Sequence, residues 1–201
     1  MTELSSYKES FNIVYKIIDD IVQIVLDNIQ FEQVCNWAIR HPVDQNNKRI
    51  DNSTEKIWGN SIINQVNNGQ WTTKLCESFV YDLLKKLGNN PRRPRQIGRY
   101  RPDLETDNYI VEVKSRNWTT PGTAGEKVFG TPLKYAEIPE LYDKPLMIVC
   151  VAYQEHEMTH GATPIFGDKV RPKTAEFLKF YELNQITFVP CSQLINQVNS
   201  L

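Results

Sequence analysis

The hydrophobic positions Phe11, Val14, Ile18, Ile21, Val22, Val25 and Ile29 recur at three- and four-residue steps, the stripe of an amphipathic helix over 11–29. A second helix is predicted over 31–40 and stops before Pro42, whose ring disfavours helical backbone in the residue ahead of it. From 41 to 70 the chain turns rich in Asn, Gln and Lys, and Ile57, Trp58, Ile62, Ile63 and Val66 predict one short helix among loops. Leu75, Phe79, Val80, Leu83, Leu84 and Leu87 then share one face of a helix over 73–87, with Gly88 as its stop. Pro91, Pro94 and Gly98 exclude helix from the connection that follows.

The pattern then changes. A strand over 99–103 turns through 105–108 into a strand over 109–114, which reads as an antiparallel hairpin. A loop over 117–123 leads to a helix over 124–138, interrupted near Pro132. The run 145–153 is short, apolar and rich in strand formers, so it predicts a central strand. A long loop over 154–172, a helix over 174–183 and a strand over 186–189 complete the pattern. This order predicts an α/β (α+β) fold, a central mixed β-sheet flanked by helices behind an N-terminal helical region.

With 201 residues, 40% of them hydrophobic, the chain can bury one full core. We read one domain over 1–201, with 1–70 a mainly helical subregion and 71–190 the core that carries the chemistry. A formal net charge of -1 excludes a uniformly basic protein, so a nucleic-acid surface must come from local clustering. The polar opening stretch and the lack of a bilayer-length apolar run predict an intracellular, cytoplasmic protein. Cys35, Cys76, Cys150 and Cys191 lie far apart without a CxxC, which fits reduced structural thiols.

Two acids stand where the hairpin should be buried. Asp103 follows Pro102 on its first arm, and Glu112-Val113-Lys114 closes its second. Alternation points Glu112 and Lys114 to one face and Val111 and Val113 to the other. Across the hairpin Asp103 can approach Glu112, and two such carboxylates repel unless a cation sits between them. Hard oxygen ligands with places left for water and phosphate suit Mg²⁺, with Mn²⁺ able to substitute, better than Zn²⁺. Lys114 would orient a water or stabilise phosphate charge; whether it serves as a general base stays open. Glu77, at the edge of the apolar face of the 73–87 helix, either completes the site or is an ordinary exposed glutamate.

Immediately upstream, Arg92, Arg93, Arg95, Arg99 and Arg101 fall within ten residues with no acid among them. Guanidinium forks suit phosphate oxygens and the guanine edge, so this run predicts a DNA-binding strip. Arg116 and Lys127, just after the acidic strand, are further candidates for DNA contact.

Pro102-Asp103 with Glu112-Val113-Lys114 resembles the signature of the PD-(D/E)xK nuclease superfamily, and 73–153 can be laid onto that family's order of elements. The resemblance implies a restriction-endonuclease-like core. Asp103 and Glu112 become metal ligands, Lys114 the catalytic lysine, and Val113 the donor of a backbone carbonyl to the metal. Glu77 matches the family's upstream helix glutamate loosely. The implied activity is Mg²⁺-dependent hydrolysis of double-stranded DNA to 5′-phosphate and 3′-hydroxyl ends, most similar to a type II restriction endonuclease. Such an enzyme would cut a palindrome as a homodimer, and a cognate DNA methyltransferase would act on the same site. The 11–29 helix would supply part of that interface or lie in the core.

Three alternatives stand beside this reading. A mismatch or junction endonuclease shares the fold, and an idle DNA-binding module would keep the arginines without cutting. His156-Glu157-Met158-Thr159-His160 fits the zinc-protease pattern HExxH. Gly161 and Pro164 leave it barely one helical turn, and its third ligand would have to be Glu176 or Glu182.

Overall fold

The computed structural model describes residues 15–18, 21–24, 26–64, 70–120 and 124–201. At its centre lies a four-stranded mixed sheet of β3 (Leu104–Glu105), β4 (Ile110–Arg116), β5 (Leu146–Ala152) and β6 (Ile186–Pro190), in that order. β3 pairs antiparallel with β4, Leu104 opposite Val111. β4, β5 and β6 run parallel, with Glu112 opposite Ile148 and Ile148 opposite Phe188. The apolar run 145–153 is therefore the interior strand its composition predicts, paired on both sides.

Helices cover both faces. Val111, Val113, Val149 and Val151 pack on α3 (Trp71–Lys86) through Leu75, Phe79 and Leu83, joined by α1 (Asn28–Ile39) and α8 (Cys191–Asn199). Ile110, Leu146, Ile148 and Ile186 form the opposite layer with Tyr135 and with Ile138 and Tyr142 of α5 (Ile138–Tyr142). Alternation along β4 thus sends odd positions to α3 and even positions, Glu112 among them, to the Tyr135 side. Gly88, at φ 79, ends α3 as the glycine stop predicts, and the Asn89 amide donates back to Leu84 O at 3.0 Å.

Two N-terminal helices complete the α3 layer, α1 against β5 and α2 (Asn52–Ile62) against α3. α1 starts from Asp27, whose carboxylate accepts the Gln30 amide at 2.8 Å while the Gln30 side chain accepts the Asp27 amide. α2 is the predicted short helix, and Trp37, Trp58 and Trp71 pack where α1, α2 and α3 meet. Glu55 is fully buried there and accepts four hydrogen bonds, from Trp37 Nε1, the Trp118 and Thr119 amides and Thr119 Oγ1.

Several expectations are corrected. Within 11–29, β1 (Tyr15–Ile18) and β2 (Ile21–Ile24) form an antiparallel pair, Ile18 opposite Ile21, and the helix begins only at Asn28. The dense β-branched residues that mimicked a helical stripe favour extended backbone. Positions 11–14 and 25 lie outside the described residues. The first arm of the predicted hairpin, 99–103, is not a strand; β3 is two residues long and starts after Asp103. The predicted 124–138 helix breaks after its proline, giving α4 (Ala124–Lys134) and then α5.

The predicted loop 154–172 begins as α6 (Tyr153–His160), entered directly from β5 through Ala152 at φ 57. Tertiary contacts hold this helix: Met158 is buried and Glu155 accepts the Ser192 amide at 2.9 Å. α7 (Pro172–Leu183) matches its prediction, whereas α8 was missed although Cys191, Leu194, Ile195 and Val198 carry helical spacing. All four cysteines are free thiols. Among the described residues no helix is long and apolar enough to cross a membrane.

Candidate functional site

Asp103 is fixed by backbone. Its amide donates to Val111 O at 3.2 Å and its Oδ2 accepts the Val113 amide at 2.7 Å, so the side chain replaces the next rung of the β3–β4 ladder. Pro102, buried just before it, has no N–H to continue pairing. On β4 the even residues bond towards β5, as the Ile110 amide does to Pro145 O. The odd residues face β3, and the Val113 carbonyl leaves the same edge as its amide, towards Asp103.

Glu112 is 4% exposed and points to the Tyr135 side of the sheet. Its Oε1 accepts from Lys114 Nζ at 2.5 Å, the same-face pairing that strand alternation predicts. Among the described residues its Oε2, though buried, has no hydrogen-bond partner. An orphaned carboxylate oxygen of this kind is unstable without a cation or donor.

The titration of the neighbours places the other acids. Burial, then the Glu112 and Glu77 carboxylates, push Asp103 up to about 7, against the opposing pull of the Val113 amide and Lys114. Burial and Glu112 likewise raise Glu77, with Lys114 and Lys74 opposing. Glu77, Asp103, Glu112 and Lys114 therefore share one electrostatic environment, although they come from α3, the approach to β3 and β4.

The sequence reading missed Tyr135. Burial and the Glu112 charge raise its phenol, so the hydroxyl stays protonated beside the acids. It donates to Arg101 O at 3.4 Å and accepts from Lys134 Nζ at 2.9 Å. Nothing in the local sequence marks it, because its contact with β4 depends on where α4 ends.

The donor set fits a divalent cation of the Mg²⁺ type. Two carboxylates and a carbonyl share the edge of β4, one carboxylate oxygen is unsatisfied, and the acids repel one another as they stand. Mg²⁺ takes few protein ligands and keeps waters or phosphate oxygens for the rest. Among the described residues no three His, Cys, Asp or Glu side chains converge into a ready-made cage. Asp103, Glu112 and the Val113 carbonyl are the oxygens this edge of β4 offers, and Glu77 on α3 shares their electrostatic environment.

A groove of about 380 Å³ opens beside Asp103, lined by Glu77, Arg93, Arg95, Tyr100 and Arg101 among others. Arg93 and Arg101 are exposed on its rim, and Arg99 lies over the Tyr100 ring at 5.4 Å. Arg92 and Arg95 have other work. Both bind Glu105, at 3.3 and 3.1 Å, and Arg92 also binds Asp107 at 2.6 Å. Glu105 is 1% exposed; burial opposes its charge, but Lys144 at 2.7 Å and Arg95 prevail and hold it at about 2. Arg116 is also structural, bound to Glu157 at 3.2 Å and to Thr120 O, whereas Lys127 is exposed on α4.

The HExxH segment is helical after all, and the His156 and His160 rings stand 4.8 Å apart, one turn from each other. Its glutamate is engaged, since Glu157 is the partner of Arg116. Glu176 is exposed on α7 and paired with Lys173, and Glu182 is exposed on the same helix. Among the described residues no third ligand joins the two histidines, and the glutamate is already paired.

The fold and the site define a mixed α/β protein with a lysine-paired acidic cluster at the short antiparallel edge of its sheet. No protein-family model matches the chain, and neither does a curated protein or a solved structure.

Proposed function

We propose that the protein is a Mg²⁺-dependent endonuclease of double-stranded DNA, similar to type II restriction endonucleases and built on their core. The observation that carries this is the unsatisfied Glu112 Oε2, buried beside Asp103 and Lys114. Bound there, the ion would neutralise a scissile phosphate and acidify a water. Asp103 and Glu112 supply hard oxygens, and the Val113 amide keeps Asp103 aimed at the shared edge. Lys114, steadied by Glu112, presents an ammonium that can orient a water or donate to a phosphate oxygen. Arg93 and Arg101 line the neighbouring groove, where a phosphodiester backbone would run.

In-line attack by water would leave a 5′-phosphate and a 3′-hydroxyl. Cutting both strands of a palindrome calls for two copies. Phe177, Phe180 and Leu183 on α7 are exposed and could contribute to that contact. The test is digestion of a linear duplex of known sequence with purified protein and Mg²⁺, followed by mapping of the ends. Discrete fragments with 5′-phosphates are expected; intact DNA with Mg²⁺ and with Mn²⁺ would refute the proposal.

A further inference from the structure

A second cavity, of about 590 Å³, opens where β4 and β5 end side by side at Arg116 and Ala152. Its walls are aromatic and cationic. The Trp118 and Tyr153 rings stand 5.8 Å apart and nearly perpendicular, and the His156 ring lies 5.4 Å from Trp118. Arg116 stacks 4.5 Å over Tyr153, with its charge answered by Glu157. Arg40 and Arg49 also line the cavity, and among the described residues neither has a carboxylate within ion-pair distance. No acid lines it.

The walls are held in place from behind. Buried Glu55 binds the amides of Trp118 and Thr119, and Trp118 Nε1 donates to Trp37 O at 2.7 Å. On the far side Asp44 Oδ1 accepts the Asn46 and Lys48 amides, closing the turn that presents Arg49. This is a prepared site with aromatic faces and unanswered positive charge.

We propose that the cavity binds a single nucleotide, its base against Trp118 and Tyr153 and its phosphate on Arg40 and Arg49. Every base offers a π-face to an aromatic ring, and guanidinium forks match phosphate oxygens. The cavity lies within the roughly 300–1,000 Å³ range of small-ligand sites. Burial together with the charges of His160 and Arg49 lowers the His156 pKa. The nucleotide has two sources, a free monophosphate or one turned out of a DNA strand. Arg116 is four residues beyond Glu112 on β4, about 13 Å away and roughly four duplex steps. Binding at this site does not depend on cleavage at the acids.

The test uses the full chain without divalent metal. Thymidine 5′-monophosphate, thymidine and inorganic phosphate are titrated by calorimetry, and a duplex carrying one 2-aminopurine is titrated by its emission. The monophosphate should bind at least about tenfold tighter than thymidine or phosphate. Arg49→Ala and Arg40→Ala should each weaken it at least about fivefold, with far-UV circular dichroism unchanged. If the monophosphate does not bind, a 2-aminopurine emission change that Arg49→Ala abolishes at retained duplex affinity supports the extrahelical source. Absence of both signals overturns the proposal. So does a loss of monophosphate binding in Glu112→Gln equal to that in Arg49→Ala, which would put the ligand at the acids.

Discussion

Asp103 Oδ2 accepts the Val113 amide at 2.7 Å, so the first acid is held by the residue between the second acid and the lysine. A shift of β4 by one position would replace this contact and turn Glu112 to the other face. Strand register and site geometry are therefore one property.

If the proposed site is correct, Glu112→Gln and Lys114→Ala should each lower cleavage at least about a hundredfold, the first by weakening the hold on the metal and the second by removing an ammonium that would stabilise phosphate charge. Duplex affinity, which the proposed function assigns to the exposed arginines, should change little. Cleavage and anisotropy on the same oligonucleotide separate the two effects, and wild-type cleavage by either variant would refute the site.

Asp103 titrates at about 7 when folded and near its ordinary 3.8 when unfolded. The folded protein therefore holds a proton that the unfolded chain has already released. Its stabilising share is full below pH 3.8 and is lost as pH rises through about 7. Asp103→Asn keeps the acceptor for Val113 and removes the titration. Without metal the variant should match the parent at pH 4 and exceed it in melting temperature at pH 8; supplied with Mg²⁺ it should fail to cut where the parent cuts.

The same proton competes with metal. Mg²⁺ or Mn²⁺ affinity should rise between pH 5 and about 7 and level off above, as calorimetry would show. Affinity independent of pH over that interval would place the ion elsewhere.

Glu105 behaves in the opposite sense. Its folded pKa, about 2, lies below the ordinary 4.5, so its contribution is present above pH 4.5 and lost as pH falls through about 2. Glu105→Gln leaves Lys144, Arg92 and Arg95 facing a neutral buried group and should cost roughly 3 kcal/mol in urea denaturation at neutral pH. Below pH 3 the difference should shrink.

How far the sequence could be read depended on whether the signal was local. The period of 75, 79, 83 and 84 marked α3 because one helix face against one sheet suffices to explain it. Glu112 and Lys114 were paired from strand alternation alone, and the structure joins them. Composition could not tell that Arg92 and Arg95 close on Glu105, a contact set by where the chain passes β3. At 15–24, β-branched residues fit two periods, and strand pairing, not spacing, decided between them. The α6 helix and the place of Tyr135 both depend on distant partners, Ser192 for one and β4 for the other.

Arg92 and Glu105 exchange backbone hydrogen bonds of 2.8 and 3.0 Å on the outer side of β3. That rim of the sheet consequently offers a foreign strand no open ladder to copy. At the opposite rim β6 is five residues long and ends in a proline without an amide hydrogen. Edge-to-edge polymerisation is disfavoured at both sides, so any pairing of two copies would fall to side chains rather than to shared backbone.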